Sequence, residues 1–354
     1  MPQYSYITTL CNHSPHPSSP LTIITNLQNF SLSNHKNATM SQYHNIYQKI
    51  QPELEQIEKL RLTALKKKKE AVIFAIILGG IGLLLLPKLG IFALAIAIAI
   101  AALFYFFYPV SALKTFKHNF KLKVIQSVAT HLEPSSIYSP YRGISQSAFK
   151  STGHYRTGID RYSSEDHFSA TIGSTDVQFS EIHAEYKTTS TDSNGNTSTS
   201  WHDIFKGVLF IADFHKHFNT WLLIKPDNES VPVFGWLSKK IQGMSSSHIR
   251  MEDPDFEKHF KVNAGNDQQA RYILTPDMQQ RILELREIYG SKIIISFKDT
   301  NVYITAPKKA DYYEPNLKES ALNQSQISRI AQQIEFYFNI VKMLNLNTRI
   351  WTKE

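Results

Sequence analysis

Residues 71–110 contain a single charged side chain, Lys88. Two apolar runs, AVIFAIILGGIGLLLL (71–86) and IFALAIAIAIAALFYFFYPV (91–110), flank Pro87-Lys88-Leu89-Gly90. As helices rising about 1.5 Å per residue they reach about 24 and 30 Å, against a bilayer hydrocarbon core of about 30 Å. The second run is long enough to span. The first needs Leu89, snorkelling lysines or local thinning to help it. One helix through both would be about 60 Å long, twice the bilayer, and Pro and Gly are the residues that interrupt a helix and reverse a chain. The expectation is a transmembrane helical hairpin over 71–110, with helices at 71–86/89 and 91–110. A re-entrant hairpin is the alternative that the short first run motivates; an open strand is excluded, because its backbone could not be satisfied in lipid.

Charge placement supports a membrane address. The chain has 38 Lys+Arg against 30 Asp+Glu, for a net charge of +8. Between 66 and 123 there are nine lysines and one acid, Glu70, so this stretch alone carries 9 − 1 = +8. The remainder is balanced, which leaves nucleic acid without support as a partner. Lys66, Lys67, Lys68 and Lys69 precede the first apolar run; Lys114, Lys117, Lys121 and Lys123 follow the second. Lysine-rich flanks stay on the cytoplasmic side, so both termini are expected there, in a multi-pass protein of the bacterial inner membrane. Phe104–Tyr108 would lie in the aromatic belt, and Gly79, Gly80 and Gly82 would face Ala93, Ala97 and Ala101.

Residues 1–39 lack Asp, Glu and Arg and hold no long apolar run, so they read as disordered, or as a mis-assigned start with Met40 the true initiator. Ile46, Ile50, Leu54, Ile57 and Leu60 share a helical face, predicting a cytoplasmic helix over 40–70 that packs on the soluble domain, on a second subunit or on the membrane surface. Residues 111–133 read as a basic juxtamembrane helix. From 134 to 354 a cytoplasmic α+β domain with antiparallel sheet and amphipathic helices is expected. Residues 134–164 read as loops and short pieces; 175–188 and 201–214 form a long antiparallel pair around Asn194-Gly195, and 220–226 is a further strand. Asp253-Pro254 and Thr275-Pro276 predict helix starts, with the second helix stopping at Gly290. KIIISF and VYITA predict a hairpin around Lys298–Asn301, and a last amphipathic helix runs over 326–344.

The chemistry-bearing residues are few. One cysteine, Cys11, excludes a disulfide framework. There is no phosphate-binding loop, no serine elbow and no zinc-protease helix motif, and no cofactor is expected. Glu181, His183 and Glu185 share one strand face and are the candidate catalytic residues. His183, His202, His215 and His217 are the candidate metal ligands. If Asn194-Gly195 forms a two-residue turn, opposite residues sum to 389. His183 then faces Lys206, Glu185 faces Ile204, and His202 stands roughly 13 Å away at about 3.3 Å per residue. In that register no ligand set converges and a charge ladder surrounds His183. Phe149-Lys150 with Arg142, Arg156 and Arg161 reads as a basic approach to anionic lipid.

Several stretches occur together in order: Asp160-Arg161-Tyr162, Phe179-Ser180-Glu181-Ile182-His183-Ala184-Glu185, Phe205-Lys206-Gly207, Ala212-Asp213-Phe214, Asp255–Phe260 and Ala270–Pro276. With the apolar segment, they resemble a bacterial membrane family, the domain-of-unknown-function 3137 family, sometimes called galanin-like. His215 stands where that pattern usually has Asn. The resemblance implies membership and topology and supplies no activity or catalytic residue. The reading is of a non-enzymatic membrane protein whose cytoplasmic domain binds a protein partner or a lipid surface. The alternatives are a membrane-tethered metal-dependent hydrolase using Glu181, His183 and Glu185, and a homo-oligomeric scaffold built through the 41–65 and 326–344 helices.

Overall fold

The computed structural model describes residues 41–227, 247–307 and 313–346. The chain divides into two units, Met1–Gln48 and Lys49–Glu354. In the first, residues 41–48 are helical (α1).

The second unit begins with α2 (Gln51–Phe107), which has Pro52 in its first turn, where a missing N–H costs nothing. Its first third is amphipathic. Leu54, Ile57, Arg61 and Ala64 are buried, and this segment makes contacts with the stretch at 317–321. Glu58 accepts from the backbone N–H of Ala321 at 2.7 Å. Arg61 is clamped by Glu58 and donates to the carbonyl of Leu317 at 2.9 Å. From Val72 onwards the pattern inverts: Ile76 is 69% exposed, Leu84 80% and Phe92 78%. Among the described residues, one helical stretch (Gln51–Leu132) is long and apolar enough to cross a membrane. Within it Gly90 has φ 67, a conformation that favours glycine. The Phe74 and Phe104 ring centroids lie 4.3 Å apart, and the Tyr108 hydroxyl donates to Glu70 at 2.9 Å. A Cβ on Gly82 would stand 2.9 Å from that of Ala97, so glycine is needed there; Gly79 and Gly80 have open space instead.

The helix continues as α3 (Val110–Asn119), a π-helical turn (Phe120–Ile125) and α4 (Gln126–Leu132). Phe116, Phe120, Lys121, Val124, Ile125, Val128 and Ala129 are buried. The basic 111–133 stretch is therefore also a core element.

Among the described residues, seven strands form one antiparallel sheet: β1 (Ile137–Ser139), β2 (Arg161–Ile172), β3 (Thr175–Thr191), β4 (Thr197–Pro226), β5 (Ser247–Ile249), β6 (Phe260–Ala264) and β7 (Ile294–Pro307). Their order is β1-β2-β3-β4-β6-β5, with β7 along the other side of β4. The helices are α5 (Gln146–Ser151), α6 (Pro254–His259), α7 (Asp267–Ile273), α8 (Pro276–Tyr289) and α9 (Gln324–Met343). The expected α+β class with antiparallel sheet is observed. So are the two proline-marked helix starts. Asp253 accepts from Asp255 N at 2.8 Å, Thr275 accepts from Met278 N, and α8 stops at Gly290 with φ 87.

Three expectations are corrected. Residues 201–214 and 220–226 are one strand, β4, rather than two. KIIISF and VYITA are likewise one strand, β7, and not a hairpin. Both irregularities fall opposite each other: Asp213 pairs with Asn301 and Trp221 with Lys298, with the surplus residues absorbed between. Asp299, in the turn-like Lys298–Asn301, has φ 56, so the local signal makes a bulge rather than a reversal. Third, the end of the stretch read as loops and short pieces belongs to β2, whose polar first half hid its alternation.

Successive β3 side chains point to opposite faces. On one, Phe179 packs between Phe168 and Tyr337 of α9, each 4.7 Å away. On the other, Ile182 and Ala184 join Phe205, Leu209, Ile144 and Phe149 in a core cluster. Phe149 is thus a core residue and not part of a lipid-facing surface.

Candidate functional site

Glu181, His183 and Glu185 continue the Phe179 face of β3 beyond the reach of α9. The β3–β4 ladder keeps the expected sum of 389 from Val177↔Ala212 to Ala184↔Phe205, including His183↔Lys206. It then slips. Glu185 pairs with Asp203 and Tyr186 with His202, leaving Ile204 as the extra residue of a bulge. The turn explains the offset: Asp192 and Asn196 close a loop around Asn194-Gly195, with Asp192 N donating to Asn196 O at 3.0 Å. The two-residue turn is corrected to a longer one, and the charge ladder changes with it.

The slip turns Asp203 onto the face of His183. His183 Nε2 lies 2.7 Å from Asp203 Oδ1 and 3.9 Å from Glu185 Oε1. The other Glu185 oxygen accepts from Arg161 at 3.2 Å, and the Arg161 guanidinium stacks 3.8 Å above the Trp201 ring. Glu181 does not join this group; with Glu165, Ser163 and Lys206 it lines an adjacent cleft of about 130 Å³ that also touches His183. His202 is directed elsewhere, hydrogen-bonded to Thr188 at 2.8 Å and stacked on Tyr186. His215 and His217 belong to the β4 backbone, and their side chains lie outside the described residues. Of the sequence candidates, then, His183 and Glu185 converge, and the third partner is Asp203.

A second ionic cluster was not anticipated. Lys121, counted among the membrane-flanking lysines, is instead 2% exposed. Its Nζ lies 3.0 Å from Asp166 Oδ1 and 2.6 Å from Glu314 Oε1. Tyr138 donates its hydroxyl to the same Asp166 carboxylate, and Lys117 pairs with Glu314 at 2.9 Å. Burial alone would lower the Lys121 pKa, but Asp166 and Glu314 overturn that and leave it well above the usual lysine range. Burial raises the Asp166 carboxyl against the pull of Lys121, and burial with that carboxylate raises Tyr138 far above an ordinary phenol. Asp166 owes its position to a slip in the β2–β3 ladder between Glu165 and Phe168, where it takes φ 54. The broken alternation in RYSSEDHFSATI was the only sequence signal of that bulge. The remaining flanking lysines are placed more loosely. Lys114 and Lys66 are exposed, and Lys123 reaches Gln56 Oε1 at 3.1 Å.

His154 is the one deeply buried imidazole among the described residues. Ser296 Oγ donates to the Thr152 carbonyl, so it accepts from His154 Nε2 at 2.9 Å. Nδ1 then accepts from Thr305 Oγ1 at 2.8 Å. Burial, with a minor contribution from Lys225, lowers its pKa to about 3. Each ring nitrogen is satisfied, and this is a structural histidine.

No curated protein matches the chain. A crystal structure of the mycobacterial trehalose monomycolate transport factor A, TtfA, is similar over 62% of this chain and 95% of that one, at 8% identity and a TM-score of 0.28. That score is too low for a shared fold to follow. Residues 203–346, which begin at Asp203 and run through β4, β7 and α9, match the family described as protein of unknown function (DUF3137), the family that the order of motifs resembles.

Proposed function

We propose that this is a two-pass membrane protein whose 71–110 segment crosses the bilayer as a helical hairpin, holding the α+β domain at the cytoplasmic face as a docking platform for a protein partner. The observation that carries the reading is the apolar sleeve from Val72 to Phe107, whose large side chains are mostly exposed while the neighbouring helical stretches bury Leu54, Ile57, Phe116, Phe120 and Val124. In water such a surface is untenable; in hydrocarbon it is the expected one. Three contacts favour a hairpin over a single span. Phe74 meets Phe104, Glu70 meets Tyr108, and Gly82 abuts Ala97. Residues 30 apart in one straight helix would stand about 45 Å from each other. Pairing Glu70 with Tyr108 also gathers Lys66–Lys69 and Lys114 at one end, the arrangement that keeps both flanks cytoplasmic. The docking role is supported by rigidity. Both helical stretches adjoining the apolar segment are packed into the domain, so the domain stands in a fixed attitude to the bilayer.

The test uses full-length Cys11→Ser protein in native membranes, with single cysteines at Lys88, Thr63 or Ser111. The protein should stay in the pellet in alkaline carbonate. An impermeant maleimide should label position 88 in intact cells, and positions 63 and 111 only after permeabilisation. Release by carbonate, or a position 88 that resists labelling from outside, would overturn the spanning hairpin.

A further inference from the structure

We propose that His183, Glu185 and Asp203 form a binding site for a divalent first-row transition-metal ion. Residues two apart on a strand project in parallel, and a third ligand from the neighbouring strand completes a three-point cradle. That cradle exists here because of the bulge at Ile204: in an unbroken register Asp203 would point to the opposite face. One ligand atom from each of the three side chains lies within 4.8 Å of the other two. Around a tetrahedral ion, ligands at about 2.1 Å stand about 3.4 Å from each other. The His183–Asp203 and His183–Glu185 separations, 2.7 and 3.9 Å, bracket that spacing.

Three further features favour an ion at this place. Arg161, itself braced on Trp201, holds one Glu185 oxygen and leaves the other aimed at His183. This is the orienting role that outer-shell partners play at metal sites. Glu165 at this part of the sheet is paired with Lys121 at 3.7 Å, which leaves Glu181, Glu185 and Asp203 against Arg161 and Lys206, three carboxylates to two cations, so an added cation is favoured. The cleft beside His183 leaves room for water in the remaining coordination position. An imidazole with two carboxylates selects a borderline ion such as Zn²⁺ or Mn²⁺ over Mg²⁺ or Ca²⁺, which prefer oxygen alone.

The experiment uses full-length protein in detergent, purified without a histidine tag and stripped with chelator. Zn²⁺ binding is measured by calorimetry, and Co²⁺ by its visible absorption. One ion per chain is expected, with a Co²⁺ band in the visible region. His183→Ala, Glu185→Gln and Asp203→Asn should each weaken binding by more than about 100-fold, beyond the 10–100-fold typical of outer-shell changes. His202→Ala should bind as the unaltered protein does. Asp203→Asn is a conservative change at an exposed position, so it carries the test if another variant fails to fold. Zn²⁺ should raise the melting temperature of the unaltered protein and not that of Asp203→Asn. Absence of stoichiometric binding, binding that survives Asp203→Asn, or binding lost in His202→Ala overturns the proposal.

Discussion

Two ionic clusters lie where strand ladders slip by a residue, and they have opposite characters. At the β2–β3 slip, Asp166 is brought inward and met by Lys121 from the π-helical turn, both side chains 3% exposed. At the β3–β4 slip, Asp203 meets His183 and Glu185, and the first two side chains remain 60% and 32% exposed. A bulge gathers carboxylates in both places. The difference lies in who supplies the cation. In the first cluster the chain does so itself, with a lysine on a helix that leads to the apolar segment, and a tyrosine hydroxyl completes the carboxylate's partners. In the second, Arg161 engages one oxygen of one carboxylate from the side, and the His183 nitrogen stays within reach of two others. The buried Lys121–Asp166 pair ties one part of the fold to another, and the open cluster keeps ligand atoms to spare, which is the basis of the metal site proposed above.

The largest effect that can break this comparison comes from the joint. Lys121→Met removes the cation and leaves Asp166 buried against Tyr138 and Glu314, which should destabilise the domain by about 3–5 kcal/mol in chemical denaturation. Lys121→Met with Asp166→Asn should recover a large part of that loss, because the uncompensated charge goes with its partner. A single-variant cost below about 1 kcal/mol would mean that water reaches the cluster and that it is no joint. Acid gives the next effect, through His154. Its folded pKa of about 3 lies below the ordinary histidine value. The unfolded chain therefore takes up the proton first, and the stability this residue lends is complete above pH about 6.5 and is lost as pH falls towards 3. At pH 5 the loss should be about 2 kcal/mol. It is read as the difference in acid sensitivity between the unaltered protein and His154→Gln, which cancels the other histidines. Equal sensitivity in both would show that the buried imidazole is charged already.

Local signals were read correctly where local physics decides. Asp253 and Thr275 cap helices because a side-chain oxygen next to proline has backbone N–H groups within reach, whatever the rest of the chain does. The amphipathic stripe Leu54-Ile57 is buried, and the helix at 326–344 is there to within two residues. What was hidden depends on slips between strands. The sum rule placed His183 beside Lys206 and failed one residue later, because the loop at 192–196 and the bulge at Ile204 together shift the ladder. The same event hid Asp203. Lys121 was misread for a different reason. A charge count does not separate a lysine on the membrane-facing side of a helix from one that enters the core, and only the distant Asp166 and Glu314 make burial tolerable. The Lys298–Asn301 turn signal was real, but a strand on each side of β4's own irregularity turned it into a bulge.

The smallest expected effect separates the two clusters most sharply. In the absence of metal, Asp203→Asn removes a charge from a side chain that water already solvates, and its hydrogen bond to His183 is replaceable by the amide oxygen. Exposed pairs of this kind contribute about 0–1 kcal/mol. The variant should therefore match the unaltered protein in urea to within about 1 kcal/mol at neutral pH, several-fold less than Lys121→Met. The two substitutions are alike in removing one member of a bulge-centred ionic group, so their ratio measures what sealing contributes. Comparable costs would mean that the open cluster is a second joint, with Arg161 and Trp201 closing it more tightly than their exposure implies. A small cost leaves three well-placed ligand groups that the fold does not need for its stability.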